Sequence, residues 1–139
     1  MRKEIHADLP HEGKCVTGNM FKNSGGDRHV CVLLSGGIDS TACAHFHRQQ
    51  DCAVEGLFVN YGQVSARREI AAVRRVSLHL SLDFHAIRLC DGPTFSDGLR
   101  NGRNAFLLLS ALMTVPETVM QIGIGIHAGT EYLDCGASY

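Results

Sequence analysis

The sequence predicts an α/β fold, in which helices cover both faces of a parallel sheet. Apolar runs suited to buried strands alternate with segments of helical periodicity, and glycine-containing or polar turns follow the strands. This alternation favours a doubly wound sheet with right-handed crossovers. In such sheets ligands bind beyond the carboxyl ends of the strands, near the point where the strand order reverses.

Composition and charge are those of an ordinary globular chain. Of 139 residues, 45% are hydrophobic and 19% are charged, and the net charge of -1 gives no overall attraction to nucleic acid or to an anionic membrane. Six cysteines lack any C-x-x-C pair, so neither a disulfide framework nor a zinc knuckle is indicated. We expect a cytoplasmic protein with reduced thiols, in which a polar lead-in (1–27) precedes one α/β domain (28–139).

Each element follows from its local pattern. The predicted strands are 30–34, 53–60, 83–89 and 119–127. The first helix covers 38–50, the second runs from an N-cap at Ser65 to about Leu80, and the third covers 105–113 behind Asn104 as its cap. The third helix is apolar all round, so we expect it to be buried. Residues 90–103 are too many for a tight connection and predict a lid or substrate loop.

The most informative stretch is Ser35-Gly36-Gly37-Ile38-Asp39-Ser40-Thr41, between the first strand and the first helix. A strand, a glycine turn and a helix N-terminus gather N–H groups and positive potential at one point, which suits phosphate. The glycines permit close approach, and the three hydroxyl groups can donate to an anion. A carboxylate at Asp39 beside phosphate implies Mg²⁺ between them. No Gly-Lys-Ser/Thr follows, so this is not a Walker-type loop.

Four segments are predicted to converge on one cleft because each follows a strand: 35–40, 60–63, the loop from Cys90, and 127–135. A separate group of charges lies on the second helix, at Arg67, Arg68, Arg74 and Arg75. These arginines suit either an RNA-binding strip or a solvated face, and the near-neutral net charge favours the solvated face.

The Ser35–Ser40 stretch resembles the loop of the ATP-pyrophosphatase (PP-loop) superfamily, whose members split ATP into AMP and pyrophosphate. Three more stretches resemble the 7-cyano-7-deazaguanine synthases of that superfamily. They are Asn60-Tyr61-Gly62-Gln63 followed by Glu69, Gly102-Arg103-Asn104, and 125–135, where Leu133 replaces the usual proline. The resemblance implies an adenine-nucleotide alpha-hydrolase-like, Rossmann-like fold.

It also implies a ligase reaction. The carboxylate of 7-carboxy-7-deazaguanine would attack the α-phosphate of ATP, and ammonia would convert the adenylate to an amide. A second round with ATP would dehydrate the amide to the nitrile. The implied partners are these small molecules, with a homodimer, no membrane and no direct nucleic-acid contact.

The matching motifs carry the family's roles to individual residues. ATP would be bound by Ser35, Gly36, Gly37, Asp39, Ser40, Thr41, Phe58 and Tyr61, with Mg²⁺ held by Asp39 through phosphate. The catalytic residues would be Asp39, Ser40 and Arg103. The deazaguanine would contact Tyr61, Gln63, Arg103, Asn104, His127 and Asp134.

The sequence departs from the family in one respect. Family members hold zinc in a C-terminal cysteine cluster, and that cluster is missing from this sequence. We therefore expect a fragment or a short, divergent member. Two alternatives stay open: an adenylating enzyme of the same superfamily that acts on tRNA or another acceptor, and a non-catalytic ATP-binding module.

Overall fold

The computed structural model describes residues 28–92, 94–95 and 102–127. Within them, four parallel strands form one sheet in the order β3-β2-β1-β4. In chain order the elements are β1 (His29–Leu33), α1 (Ile38–Gln49), β2 (Ala53–Asn60), α2 (Ala66–Leu80), β3 (Phe84–Arg88), α3 (Arg103–Thr114) and β4 (Gln121–Ile124). The predicted α/β class and the parallel sheet are confirmed.

The chain winds outward from β1 in both directions. It passes through β2 to β3 on one side and then crosses back to place β4 on the other side of β1. In register, Val32 lies between Gly56 of β2 and Gly123 of β4. The strand order therefore reverses between β1 and β4, and this is the point where doubly wound sheets bind their ligands.

Alternate residues of the central strands fill two hydrophobic layers. On one face, Val30 and Val32 pack in a cluster with Ala44 of α1 and Val73 of α2. On the other, Cys31, Leu33, Leu57 and Val59 pack with Ala111 of α3. Each fully buried aliphatic side chain contributes about 1.5–3 kcal/mol, so these two layers supply most of the stability of the sheet.

β1 begins one residue before its predicted start, because His29 is buried beside a carboxylate. Glu55 on β2 lies between two imidazoles, with Oε1 3.5 Å from His29 Nε2 and Oε2 3.4 Å from His85 Nε2. A hydrophobicity pattern counts histidine as polar and so excludes His29 from the strand. In the structure His29 is buried beside Glu55 and forms the first residue of β1. β4 is shorter than predicted because it pairs with β1 only from Val30 to Leu33.

Two expectations for α3 are wrong. The helix is capped by Gly102, which has a φ of 79°, and Asn104 lies buried inside the first turn. The helix also buries only one side, because a single sheet face covers it. Its other side exposes Leu109 by 61%, Leu112 by 62% and Met113 by 88%.

Other expectations fall partly outside the described residues. The lead-in (1–27), the middle of the 90–103 loop and the final segment with Asp134 and Cys135 are not described. Of the cysteines, Cys31, Cys43, Cys52 and Cys90 are free thiols. Across the described residues, none of the helices has the length and apolar character needed to cross a membrane.

Candidate active site

The connection between β1 and α1 is a tight turn, residues 34–37, called turn 1 below. Gly36 has a φ of 76°, a backbone conformation that side chains rarely adopt. A Cβ atom at Gly36 would lie 2.5 Å from the Cβ of Ala72 and 2.8 Å from backbone atoms of α2. Gly36 therefore allows α2 to pack directly against turn 1, in addition to shaping the turn.

The hydroxyl groups around turn 1 bond to one another and to the turn itself. Ser40 Oγ lies 3.3 Å from Ser35 Oγ and donates to the carbonyl of Gly37 at 3.1 Å. Thr41 Oγ1 donates to the same carbonyl at 2.7 Å. Gly37 is the N-cap of α1 and has no side chain to cap the N–H groups of the first turn. Turn 1 is thus fixed internally, while the start of α1 is left available for an anion.

A cavity of about 280 Å³ lies where the carboxyl ends of β1, β2 and β4 meet the first turns of α1 and α3. It is called the central cavity below. The predicted site residues that line it are Ser35, Gly37, Asp39, Ser40, Phe58, Tyr61, Gln63, Arg103, Asn104 and His127. The predicted ATP-binding residues Gly36 and Thr41 are not among the lining residues. Asp134, predicted to contact the deazaguanine, is outside the described residues. Each of the four segments expected to converge contributes at least one lining residue, although the 90–103 loop contributes only Arg103 and the 127–135 segment only His127 among the described residues.

Gly125 brings the segment after β4 against α1. A Cβ atom at this position would lie 2.4 Å from the carbonyl carbon and oxygen of Asp39. The close contact places Ile126 and His127 in the cavity wall opposite β2. The sequence marked Gly125 only as the start of the 125–135 stretch, because the contact with Asp39 joins residues far apart in the chain.

The connection between β2 and α2, residues 61–65, is called turn 2. Gln63 is buried and its amide has three protein partners. It accepts from Tyr61 N–H at 3.0 Å and donates to the carbonyl of Val59 at 3.2 Å and to Glu69 Oε2 at 2.8 Å. Ser65 Oγ donates to Glu69 Oε1 at 2.6 Å. Ser65 is the N-cap residue of α2, as predicted, but its hydroxyl bonds to a carboxylate instead of to a backbone N–H group.

Glu69 also lines the central cavity, and sequence reasoning did not include it among the site residues. The available signal was its position in the first turn of α2, four residues after a serine and six after a glutamine. Those spacings suit a capping interaction equally well, and only the structure shows that Gln63 and Ser65 hold one carboxylate oxygen each.

Tyr61 and Arg103 both line the central cavity and are hydrogen-bonded to each other. Burial raises the pKa of the Tyr61 phenol above its usual value of 10, while the charge and hydrogen bond of Arg103 act to lower it and the charge of Glu69 acts to raise it. The Tyr61 ring also packs edge-on against Phe106 of α3. Arg103 Nε and Nη2 each lie 3.4 Å from Oδ1 of the buried Asn104. The guanidinium of Arg103 is therefore oriented by Asn104 on α3 and by Tyr61 in turn 2.

The described residues show no group of three or more His, Cys, Asp and Glu side chains that could hold a metal ion. Asp39, in the first turn of α1, supplies one carboxylate to the cavity lining. One carboxylate suits Mg²⁺, which proteins commonly hold with one or two carboxylates and the substrate's own phosphates. The same donor set would not hold a structural zinc, which needs four ligands.

The fold and the cavity define a class of protein. A parallel sheet with a Ser-Gly-Gly-Ile-Asp-Ser turn after its first strand and a cavity at the strand-order reversal is a PP-loop, Rossmann-like α/β domain. More specifically, residues 29–96 match the family model of the queuosine biosynthesis protein QueC. The matched part of the chain is thus similar to this family.

Individual relatives agree with the family match. The chain is 34% identical over 74 residues to a 7-cyano-7-deazaguanine synthase of Methanococcus maripaludis, covering 52% of this chain and 31% of the relative. It is 46% identical over 50 residues to a synthase of the same name from Methanothrix thermoacetophila, covering 36% and 22%. A tRNA-specific 2-thiouridylase MnmA of Helicobacter hepaticus is 34% identical over 110 residues, covering 73% and 30%. The matches thus span less than a third of each of these relatives.

Proposed function

We propose that this chain carries the ATP-binding part of an enzyme that makes 7-cyano-7-deazaguanine from 7-carboxy-7-deazaguanine and ammonia. ATP would be split into AMP and pyrophosphate. The observation that carries the proposal is the pairing of two chemically different ends in one cavity. Turn 1 and the start of α1 form one end, and Tyr61, Arg103 and Asn104 form the other.

The turn 1 end suits the phosphates of ATP. The first-turn N–H groups of α1 are donors on a rigid frame, so they can stabilise charge that develops on pyrophosphate as it leaves. The hydroxyls of Ser35 and Ser40 would add to them by turning from their bonds within turn 1 toward the anion. Mg²⁺ bound by Asp39 and phosphate oxygens would neutralise part of that charge. Phe58, at the end of β2, offers an apolar wall for adenine between the two ends.

The Arg103 end suits a planar, anionic acceptor. A guanidinium can pair with a carboxylate through two parallel hydrogen bonds, and the Tyr61 ring provides a flat apolar surface beside it. Asn104 and His127 add polar groups to this part of the lining. A carboxylated deazaguanine would present its charge to Arg103 and its ring to Tyr61.

The chemistry balances as follows. A carboxylate oxygen attacks the α-phosphorus and the bond to the β-phosphate oxygen breaks, which yields an acyl-adenylate and pyrophosphate. Ammonia attacks the acyl carbon, AMP leaves, and a proton passes to solvent. In a second round the amide oxygen is adenylated, and loss of AMP and protons leaves the nitrile. Arg103 would orient the carboxylate for the first attack.

The test is pyrophosphate release from ATP with and without 7-carboxy-7-deazaguanine. We expect release that depends on the acceptor, with AMP as the second product. Formation of ADP and phosphate would contradict the proposal. Arg103→Lys keeps the charge and loses the bidentate geometry, so it should raise the acceptor KM more than the KM for ATP.

A second candidate is adenylation of a tRNA base. It is favoured by the 2-thiouridylase relative, whose match covers more of this chain than those of the two deazaguanine synthases reported above. In this case tRNA, and not the free deazaguanine, would stimulate pyrophosphate release. A homodimer and a cytoplasmic location stay predictions.

A further inference from the structure

The outer side of α2 carries four arginines that the proposed catalysis does not use. Arg67, Arg68, Arg74 and Arg75 are all exposed, and together they are called the arginine face. Seven residues separate Arg67 from Arg74 and Arg68 from Arg75, which is close to two full helical turns. The four side chains therefore form two pairs about 10 Å apart along one side of the helix, opposite the side that packs on the sheet.

No acid on α2 pairs with the arginine face. Within the described part of the chain, none of the four arginines forms an ion pair. Positions three and four residues away hold no Asp or Glu, and the one acid of α2, Glu69, turns to the central cavity and bonds to Gln63 and Ser65. Four of the 13 Lys and Arg residues of a chain with net charge -1 are thus concentrated on one helix face.

The placement of these charges works against the stability of the helix. Arg67 and Arg68 stand in the first turn of α2, where the helix dipole disfavours positive charge. The small side chain of Ala71 lies between the pairs, and Leu78, which is 82% exposed, lies one turn beyond Arg74. The charged side chains on this side of α2 are therefore all cationic. Clusters of exposed cations are typical of surfaces that bind a phosphate backbone.

We propose that the arginine face binds the phosphate backbone of RNA. The proposal goes beyond the ligase reaction and rests on the second candidate function, in which a tRNA base reaches the central cavity. Arg67 and Arg68 directly precede Glu69, which lines that cavity, so an RNA strand lying along α2 would come close to the cavity. An anionic membrane fits less well, because the apolar side of α2 is packed on the sheet and has nothing to insert.

A shallow depression at the other end of the arginine face suits a nucleotide. Arg74 forms part of its wall, together with the apolar side chains of Leu78, Leu82 and Phe84 and the carboxylate of Asp83. The guanidinium can contact a phosphate while the apolar wall contacts a sugar or base. The depression thus extends the same surface away from the central cavity.

The experiment measures binding of an unmodified tRNA transcript by fluorescence anisotropy, without ATP, at several salt concentrations. Arg67→Gln with Arg74→Gln should weaken binding about tenfold and reduce the salt slope by roughly 1.4 to 1.8, the contribution of two phosphate contacts. Arg68→Gln with Arg75→Gln should act similarly. The matched control is Arg48→Gln with Arg88→Gln, which removes two exposed arginines outside the face and should change affinity less than about twofold.

Three results would overturn the proposal: no salt-dependent binding of tRNA, an equal loss in the control pair, or tighter binding to duplex DNA or anionic vesicles than to tRNA. Thermal unfolding of each variant shows that the fold is intact, as expected for exposed positions. The outcome is independent of the ligase proposal. Failure of acceptor-dependent pyrophosphate release would leave tRNA affinity unchanged, and loss of tRNA binding would leave pyrophosphate release with free deazaguanine unchanged.

Discussion

Turn 1 and turn 2 both connect a strand to a helix, but they differ in what their side chains do at the start of the helix. Each leads from the carboxyl end of a central strand into a helix, and each contains a glycine in the left-handed region, Gly36 at 76° and Gly62 at 94°. In turn 1 the side chains bond among themselves and leave the start of α1 uncapped. In turn 2 the side chains of Gln63, Ser65 and Glu69 fill the space at the start of α2.

This difference indicates that turn 1 can bind an anion, whereas turn 2 holds side chains in place at the edge of the central cavity. An uncapped helix start with rigid hydroxyl neighbours can accept an anion without rearrangement. A start whose neighbours include a hydrogen-bonded carboxylate repels an anion and instead fixes Tyr61 and Glu69 at the cavity edge. Turn 1 is therefore the expected phosphate site, and turn 2 is expected to shape the acceptor end.

The largest expected effect distinguishes the two glycines of turn 1. Gly36→Ala forces a side chain into the left-handed region and against α2, so it should lower the free energy of unfolding by about 3 kcal/mol or more. The control Gly37→Ala meets only Ser35 Oγ at 3.4 Å, with φ at -79°, and should cost less than about 1 kcal/mol. Urea unfolding measures both. Equal losses would show that α2 does not pack on turn 1 as described.

The next largest effect concerns the hydrogen-bond network of turn 2. Gln63→Ala removes three hydrogen bonds of a buried amide and should cost about 2–3 kcal/mol of unfolding free energy. Ser65→Ala removes one bond to the same carboxylate and should cost about 0.5–1.5 kcal/mol. Urea unfolding of the two variants ranks them. A Ser65→Ala loss as large as that of Gln63→Ala would contradict the assignment of Gln63 as the centre of the network.

The smallest effect concerns the charges around Tyr61. Arg103→Gln removes the group that lowers the pKa of Tyr61, so this pKa should rise further, whereas Glu69→Gln should lower it. Ultraviolet titration measures the change, with Tyr61→Phe subtracted to remove the other tyrosines. Because the fold favours the neutral phenol, stability should fall as pH rises above the usual tyrosine pKa of about 10. Shifts in the opposite directions would show that Tyr61 does not lie between the two charges.

The parts of the fold that the sequence predicts best are those fixed by local pattern. The second strand was expected over 53–60 and is found at Ala53–Asn60, because Val54 and the apolar residues 57–59 suit a buried parallel strand. Turn 1 was expected from its glycines, and they are required where the backbone and α2 meet. Both signals lie within a dozen residues of chain.

The parts that could not be predicted depend on contacts between distant residues. The exposed side of α3 could not be inferred from its composition, since an apolar helix does not reveal how many partners surround it. The contact of Gly125 with Asp39 and the bonding of Phe95 with Gly62 and Val64 arise only when the sheet is assembled. The buried His29 likewise becomes a strand residue only because Glu55 of the next strand faces it.

The most direct test of the central claim is the affinity for ATP, measured by isothermal titration calorimetry with and without Mg²⁺. If turn 1 holds the phosphates, wild-type binding should depend on Mg²⁺ and Asp39→Asn should abolish that dependence. Glu69→Gln, at turn 2, serves as the matched control and should leave it intact. Binding of Mg-ATP by Asp39→Asn with wild-type affinity would contradict the assignment of turn 1 as the phosphate site.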